Sequence, residues 1–176
     1  MTYSTRVGVD LAKNLIQISV VSGRGKAMTK EIDGLVKQHP VCKRLTAIEG
    51  IGPIGALSLY AVTGSGKAFT KSGEFSAYLG LTPRQYSSAG KTNIVGISKK
   101  VGNRRLRSIL IQGARAYVSR MKQPRSLKDR WLKDLIERAG PNRAAVALAN
   151  KNVRTAWAMV TQGTDYQRRL QLEMAA

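Results

Sequence analysis

One cysteine and one histidine serve the whole 176-residue chain. Cys42 alone has no partner for an internal disulfide. Cys42 and His39 together cannot furnish a Cys/His zinc site, and a single histidine gives no relay with a distant partner. Both fall in QHPVC, where Pro40 marks a break between helices, so a linker histidine and a half-buried thiol are expected. Long apolar runs are missing too. The longest is the six-residue AAVALA at 144–149, far below the roughly 20 residues of a membrane span. The first thirty residues lack the basic-then-apolar layout of a signal peptide. A soluble, cytoplasmic protein with no membrane partner is expected.

Acidic residues are also few. Ten Asp and Glu face thirty Lys and Arg, a formal charge of +20. The deficit is local: residues 75–128 hold twelve basic side chains and no acid. Ordinary surfaces mix both signs, so a one-signed stretch of 54 residues creates a directed positive field. Polyphosphate is its natural counterion, and DNA or RNA the expected partner. A membrane surface fits less well, because glycines and turns interrupt the basic stretch. The apolar share of 43% argues for a folded domain, and the length suffices for one core with a small appendage.

Along the chain, RVGVDLAKNLIQISVV at 6–21 alternates β-branched residues at period two. It reads as two strands around a tight turn, followed by a loop at SGRGK. A lone hairpin is not stable by itself. From Glu31 the pattern becomes helical: IDGLVKQ, then VCKRLTAI and EGIGPIGALSLYAV around a turn at 50–53, then SGEFSAYLGL with Ser72 as N-cap. Residues 82–102 read as an ordered loop, or a loop holding a small hairpin at TNIVGIS. Three helices follow. In the first, RRLRSILIQGARAYVSRMK, Leu106, Ile109, Leu110, Gly113, Tyr117, Val118 and Met121 share one face at 3–4 spacing. Arg104, Arg105, Arg107, Arg115 and Arg120 take the other. Ser126 with Asp129 resembles a capping box, Gly140-Pro141 stops that helix, and Asn142 is expected to cap the last one, which Gly163 ends.

Three short motifs bear on chemistry. Residues 48–56, IEGIGPIGA, fit the helix-hairpin-helix pattern. Gly50 and Gly52 would let the hairpin backbone bend sharply and approach a phosphate, which the amides opening the next helix would face. A plain turn packed on protein is the alternative. GSGK at 64–67 fails as a Walker loop, because Ala61 and Ala68 stand where Gly and Ser or Thr are required. In SSAGKTNIVGISKKVGNRRLR, residues 87–107, Ser87 or Ser88 could attack a phosphodiester while Lys91, Lys99, Lys100, Arg104 and Arg105 hold phosphates. Gly90, Gly96 and Gly102 would permit close backbone approach. No base lies nearby in sequence, so these residues by themselves favour a binding loop over a catalytic one. Asp10, at the end of the first strand, is a lone carboxylate and by itself a poor metal site.

Two stretches together resemble the transposases of insertion sequence family 110, relatives of the Piv-type DNA invertases. VGVDLAKNLIQISVV is similar to the opening hairpin of that family's RuvC-like, RNase H-type domain, where the first acid of a DEDD metal set sits. Here that acid is Asp10. The second stretch covers about residues 41 to 168 and includes RLTAIEGIGPIGALSLYA, GEFSAYLGLTPRQYSSAGKTNIVGISKKVGNRRLRSILIQGARA and AAVALANKNVRTAWAMVTQG. The resemblance implies a nucleophilic serine (Ser88, with Ser87 second), magnesium on the acid set, DNA as substrate, a structured guide RNA, and a homo-oligomer joining this domain to a partner's RuvC-like domain. Ala89 stands where such sequences usually carry Gly, leaving the register between the two serines open.

The chain departs from the family in one large respect. Only some twenty residues separate Val21 from Cys42, where family members carry the rest of the RuvC-like domain. The expectation is therefore a mainly α protein in three parts. Residues 1–30 would be a β-hairpin remnant of the RNase H-like domain. Residues 31–168 would form a helical transposase domain with the helix-hairpin-helix and a basic helix contributing Arg104, Arg105 and Arg107. Residues 169–176 would be a frayed tail. Such an internally shortened chain is expected to recombine DNA poorly or not at all by itself, and a non-catalytic nucleic-acid-binding module is the rival expectation.

Overall fold

Proline and glycine punctuation sets most of the helix boundaries. A computed structural model describes residues 7–10, 17–20, 25–88, 91–97 and 102–168. In these segments the order is β1 (Val7–Asp10), β2 (Gln17–Val20), α1 (Gly25–Gln38), α2 (Pro40–Leu45), α3 (Pro53–Thr63), α4 (Ser72–Tyr78), β3 (Pro83–Ser88), β4 (Lys91–Ile97), α5 (Arg104–Arg120), α6 (Leu127–Ala139) and α7 (Pro141–Gln162). The fold is mainly helical, as expected. Pro40, Pro53 and Pro141 each open a helix, where the missing N–H would have had no partner and the fixed φ suits the first turn. Gly163 ends α7 in the left-handed region, the usual stop for a helix.

Side-chain caps complete the other ends. Asn103 Oδ1 accepts from the Leu106 amide at 3.0 Å, and Ser126 Oγ accepts from Asp129 N at 3.1 Å. The α4 start differs from expectation. Lys71 occupies the cap position, and Ser72 is the first helical residue. Glu74 supplies the stabilisation by reaching back to accept from Thr70 N at 2.9 Å and Lys71 N at 3.3 Å. Asn142 likewise lies inside α7, because Pro141 already satisfies the first helical position and Gly140 becomes the cap. Helix α1 begins at Gly25, earlier than Glu31, and so crosses the expected boundary at 30/31. Its early turns come from Lys26, Ala27 and Met28, good helix formers without an apolar period to announce them.

The strands make two separate antiparallel pairs. β1 pairs with β2, Val7 opposite Val20 and Asp10 opposite Gln17. β3 pairs with β4 over a longer reach than TNIVGIS alone, with Pro83 opposite Ile97 and Ser88 opposite Lys91. Residues 83–88 and 91–97 are therefore a strand pair, with the PRQYSS segment as its first strand.

Helix α3 is apolar on nearly every side and packs against α1, α2, α5 and α7. Helix α7, with 22 residues, runs roughly 33 Å and packs on α2, α3, α4, α5 and α6. Their shared interior holds Leu45, Ile48, Leu57, Leu59, Phe75, Leu132, Leu148 and Val153, all buried, each worth about 1.5–3 kcal/mol of transfer free energy. Cys42 is fully buried, not half-buried, and burial pushes its thiol up to about 11. His39 stands at the start of α2 with its ring 4.2 Å from that of Tyr60.

One contact between backbones fixes the turn before α3. Gly50 has φ +87° and lies against α5, and a Cβ added to Gly113 would stand well inside contact distance of the Gly50 carbonyl oxygen. Alanine is the better helix former by about 1 kcal/mol, so propensity alone would have Gly113→Ala stabilise α5. The contact reverses the sign. Gly113→Ala is expected to lower stability by roughly 3 kcal/mol, read as the midpoint of urea unfolding. An unchanged or raised midpoint would show that the two backbones do not meet there.

Candidate nucleic-acid interface

The turn joining α2 to α3 has an anchored side and an open side. On the open side Gly52 is exposed, with nothing within 4 Å of where a Cβ would stand. Ile54, in the first turn of α3, is 49% exposed. No side chain caps the α3 N-terminus, so its leading amides present donors and the positive end of the helix dipole. The two glycines singled out from the sequence thus divide their roles. Gly50 meets protein backbone, and Gly52 leaves room for a ligand.

The anchored side is a polar cluster around Glu49. Lys128 Nζ donates to Glu49 Oε2 at 2.7 Å and Tyr166 Oη donates to the same oxygen at 2.6 Å. Arg168 Nε lies 3.1 Å from Glu49 Oε1 in ion-pair contact, though off the N–H direction, so neither atom counts a hydrogen bond there. The Glu49 carbonyl accepts from Asn152 Nδ2 at 2.7 Å. Arg168 Nη2 also donates to Asp129 Oδ2 at 2.8 Å. Asp129, 1% exposed, accepts further from Tyr117 Oη at 2.5 Å and the Arg125 amide at 2.9 Å. Residues 163–168 therefore strap the end of α7 across α6 and the turn, helped by Arg44, which donates to the Gly163 carbonyl at 2.7 Å.

Burial alone would raise the pKa of both carboxyls. For Glu49, hydrogen bonds from Lys128 and Tyr166 outweigh it, and the pKa falls below the usual range. For Asp129, Tyr117, the Arg125 amide and Arg168 do the same. Burial pushes the Lys128 ammonium down, and Glu49 offsets only part of that. Burial and then their carboxylate partners raise the Tyr117 and Tyr166 phenols. The cluster holds its charges in a fixed pattern at neutral pH.

The remaining expected site residues are distributed as follows. Arg104 and Arg105 are exposed at the start of α5, with Arg115 and Arg120 exposed further along. Arg107 is the exception. It is 7% exposed, and its Nη1 donates to the Gly80 carbonyl at 3.5 Å. Its place on the outer face is corrected: Arg107, Leu110 and Ala114 follow at steps of three and four, so Arg107 belongs to the inward stripe. Gly102, expected to admit a ligand, instead abuts the backbone of Gly80, 2.6 Å from where its Cβ would stand. Ser87 and Ser88 end β3 opposite Thr92 and Lys91. Lys99, Lys100 and Gly90 lie outside the described residues. Asp10 ends β1, and among the described residues no group of three His, Cys, Asp or Glu could hold a metal ion.

Comparison with known proteins bears on the same segments. The family model for the transposase IS116/IS110/IS902 family matches residues 42–131, from α2 through β3, β4 and α5 to the first turns of α6. The chain belongs to the IS116/IS110/IS902 transposase family. The transposase for insertion sequence element IS1111A of Coxiella burnetii is 46% identical over 138 residues, 78% of this chain and 38% of the relative. A probable family 20 transposase of Pseudomonas aeruginosa is 38% identical over 151 residues, 86% of this chain and 44% of the relative. The transposase for IS1328 of Yersinia enterocolitica is 40% identical over 143 residues, 79% and 42% respectively. This transposase-family chain thus spans about two fifths of the length of these curated relatives. None of its helices is long and apolar enough to cross a membrane among the described residues.

Sequence reasoning missed the Glu49–Asp129–Arg168 cluster. One signal was available: in a chain with so few acids, a carboxylate inside a glycine turn has to be held by something. The pH behaviour follows from the directions above. Both carboxyls have folded pKa values below their unfolded ones, so their stabilisation is complete above the ordinary carboxylate range, about pH 4. It is lost as pH falls through the folded values. Asp129→Asn is expected to cost roughly 3 kcal/mol near neutrality and to flatten the acid limb of a stability–pH curve measured by urea unfolding. An acid limb as steep as that of the unaltered chain would remove Asp129 from this role.

Proposed function

We propose that this chain is the nucleic-acid-binding and strand-exchanging part of a transposase. It would grip sugar-phosphate backbones with the open side of the α2–α3 turn, acting as a helix-hairpin-helix, and with the exposed arginines of α5. The observation that carries the reading is the acid-free run of residues 75–128 within a matched transposase domain. Arg104, Arg105, Arg115 and Arg120 stand exposed on a helix packed against α3. Contacts of this kind recognise phosphate, not base sequence. A structured guide RNA is a second polyanion the same surface would accept.

The proposed chemistry is transfer of a phosphodiester to Ser88, with Ser87 as the second choice. The serine oxygen forms a P–O bond, and the bond from phosphorus to the departing sugar oxygen breaks. The proton lost by the hydroxyl ends on that released oxygen. Attack by a different sugar hydroxyl reverses the step and joins new ends. The resemblance assigns magnesium to an acid set of which this chain carries only Asp10, so a RuvC-like domain from a longer relative would have to supply the rest in trans. A second reading is a non-catalytic binding module. It is favoured by the absence of any histidine or acid near Ser87 and Ser88 in sequence to serve as a base, since residues 75–128 contain neither.

Two measurements test these readings. Fluorescence anisotropy with labelled duplex DNA and folded RNA should show tight binding at low ionic strength that weakens linearly in log salt. Arg104→Ala with Arg105→Ala should lower that slope by about two. Absence of binding to both polyanions at low salt would sink the proposal. Denaturing gels with end-labelled DNA should reveal a covalent adduct that Ser88→Ala abolishes and Ser87→Ala spares. If the unaltered chain forms none even with magnesium and a RuvC-like domain in trans, the module reading holds.

A further inference from the structure

A groove of about 1260 Å³ runs along α7 between α6 on one side and the α4–β3–β4 region on the other. Nothing in the proposed function uses it. Its floor is apolar, with Trp131 and Leu135 from α6 and Ile97 from β4, and small residues such as Ala147 and Ala158 from α7. Its rim is cationic, carrying Arg143, Lys151 and Arg154, all exposed, and no acidic residue lines it. At 100° per residue these three cations fall within about 80° of arc on α7, spaced roughly 12 Å and 4.5 Å along it. Lys151 Nζ lies 4.9 Å from the centre of the Trp131 ring, and Arg154 Nε is 3.4 Å from Ser72 Oγ.

An apolar floor with a basic rim suits a ligand that is itself apolar on one edge and anionic on the other. A duplex offers phosphates and base edges but hides its base faces in the stack. A single strand offers both, its bases to apolar or aromatic walls and its phosphates to Lys and Arg. The groove also includes Pro83 and Gly96 of the hairpin. Ser88 is five residues from Pro83 on the same strand, about 16 Å along it. We propose that this groove holds a single-stranded stretch of nucleic acid, phosphates on Arg143, Lys151 and Arg154 and base faces against Trp131 and Leu135, and so directs an unpaired strand along the hairpin that carries the two serines. The proposal rests on the nucleic-acid reading above and adds a second surface, distinct from α5 and the α2–α3 turn.

The test uses the full chain and a thymidine oligonucleotide as probe. Binding is followed by anisotropy, and by tryptophan emission with Trp131→Phe as reference, since the other tryptophan, Trp157, donates to the Gly66 carbonyl away from the groove. The oligonucleotide is expected to quench emission in the unaltered chain and not in Trp131→Phe. The triple variant Arg143→Ala, Lys151→Ala, Arg154→Ala, with an unchanged melting curve, should bind the oligonucleotide at least tenfold more weakly, its salt slope lower by about two, while duplex affinity changes little. If the triple variant binds the oligonucleotide like the unaltered chain while Arg104→Ala with Arg105→Ala weakens it, the groove proposal is overturned and the function stands. If the unaltered chain binds no nucleic acid, both fall. If only a helical peptide with glutamates flanking a leucine face quenches Trp131, the groove is a protein-docking site and this proposal is wrong.

Discussion

The turn at Glu49 and Gly50 is where the elements of this domain are tied to one another. Its main chain is held from two directions, by Asn152 of α7 at the Glu49 carbonyl and by the bare backbone of Gly113 on α5 at the Gly50 carbonyl. Its side chain is held from two more, by Lys128 of α6 and by Tyr166 and Arg168 of the strap. A glycine turn is conformationally loose in isolation. Here the looseness is removed, and the direction in which α3 leaves the turn is set by partners on several other segments. Any contact that the open side of the turn makes with a phosphate inherits that rigidity, which lowers the entropy lost on binding.

The same arrangement draws two of the chain's few acids inward. Glu49 and Asp129 are committed inward to Lys128, Arg168 and two tyrosines. The strap lets a chain rich in cations bury a pair of acids without leaving either unpaired, the condition under which buried charge is tolerated at all. The outward faces of α5 and α7 keep Arg104, Arg105, Arg115, Arg143, Lys151 and Arg154 exposed. Exposed cations on two helix faces over a neutralised interior suit a polyanion.

Much of the fold was legible because its signals are local. Pro53, Ser126 and Gly140 mark helix ends by rules that need only neighbouring residues, and the 3–4 spacing of Leu106, Leu110 and Gly113 identifies the buried side of α5. The errors share a cause, which is competition between two local rules or a partner distant in sequence. Asn142 is a good cap, yet Pro141 beside it is a better first residue. Arg107 reads as surface by type and as core by position, and position prevails because the Gly80 carbonyl waits there. The strap was not legible, since Arg168 finds Glu49 across 119 residues and nothing near either one names the other. Of the candidate site, the chemistry-bearing segment was visible in advance as a basic, glycine-rich stretch. A small hairpin at TNIVGIS was anticipated there, but PRQYSS as its partner strand was not, because Ser87 and Ser88 lie in a run without clear alternation.

Cys42 is the only sulfhydryl in the chain, and it is sealed inside the α2 packing with its proton firmly held. The folded chain is therefore expected to react slowly with aqueous maleimides. A cysteine introduced at an exposed place on the groove rim, such as Arg143, would be the single reactive thiol on the molecule. Dyes or spin probes can be mounted there one at a time with Cys42 left in place, and the separation from a tagged oligonucleotide read directly as a ruler of where the strand runs.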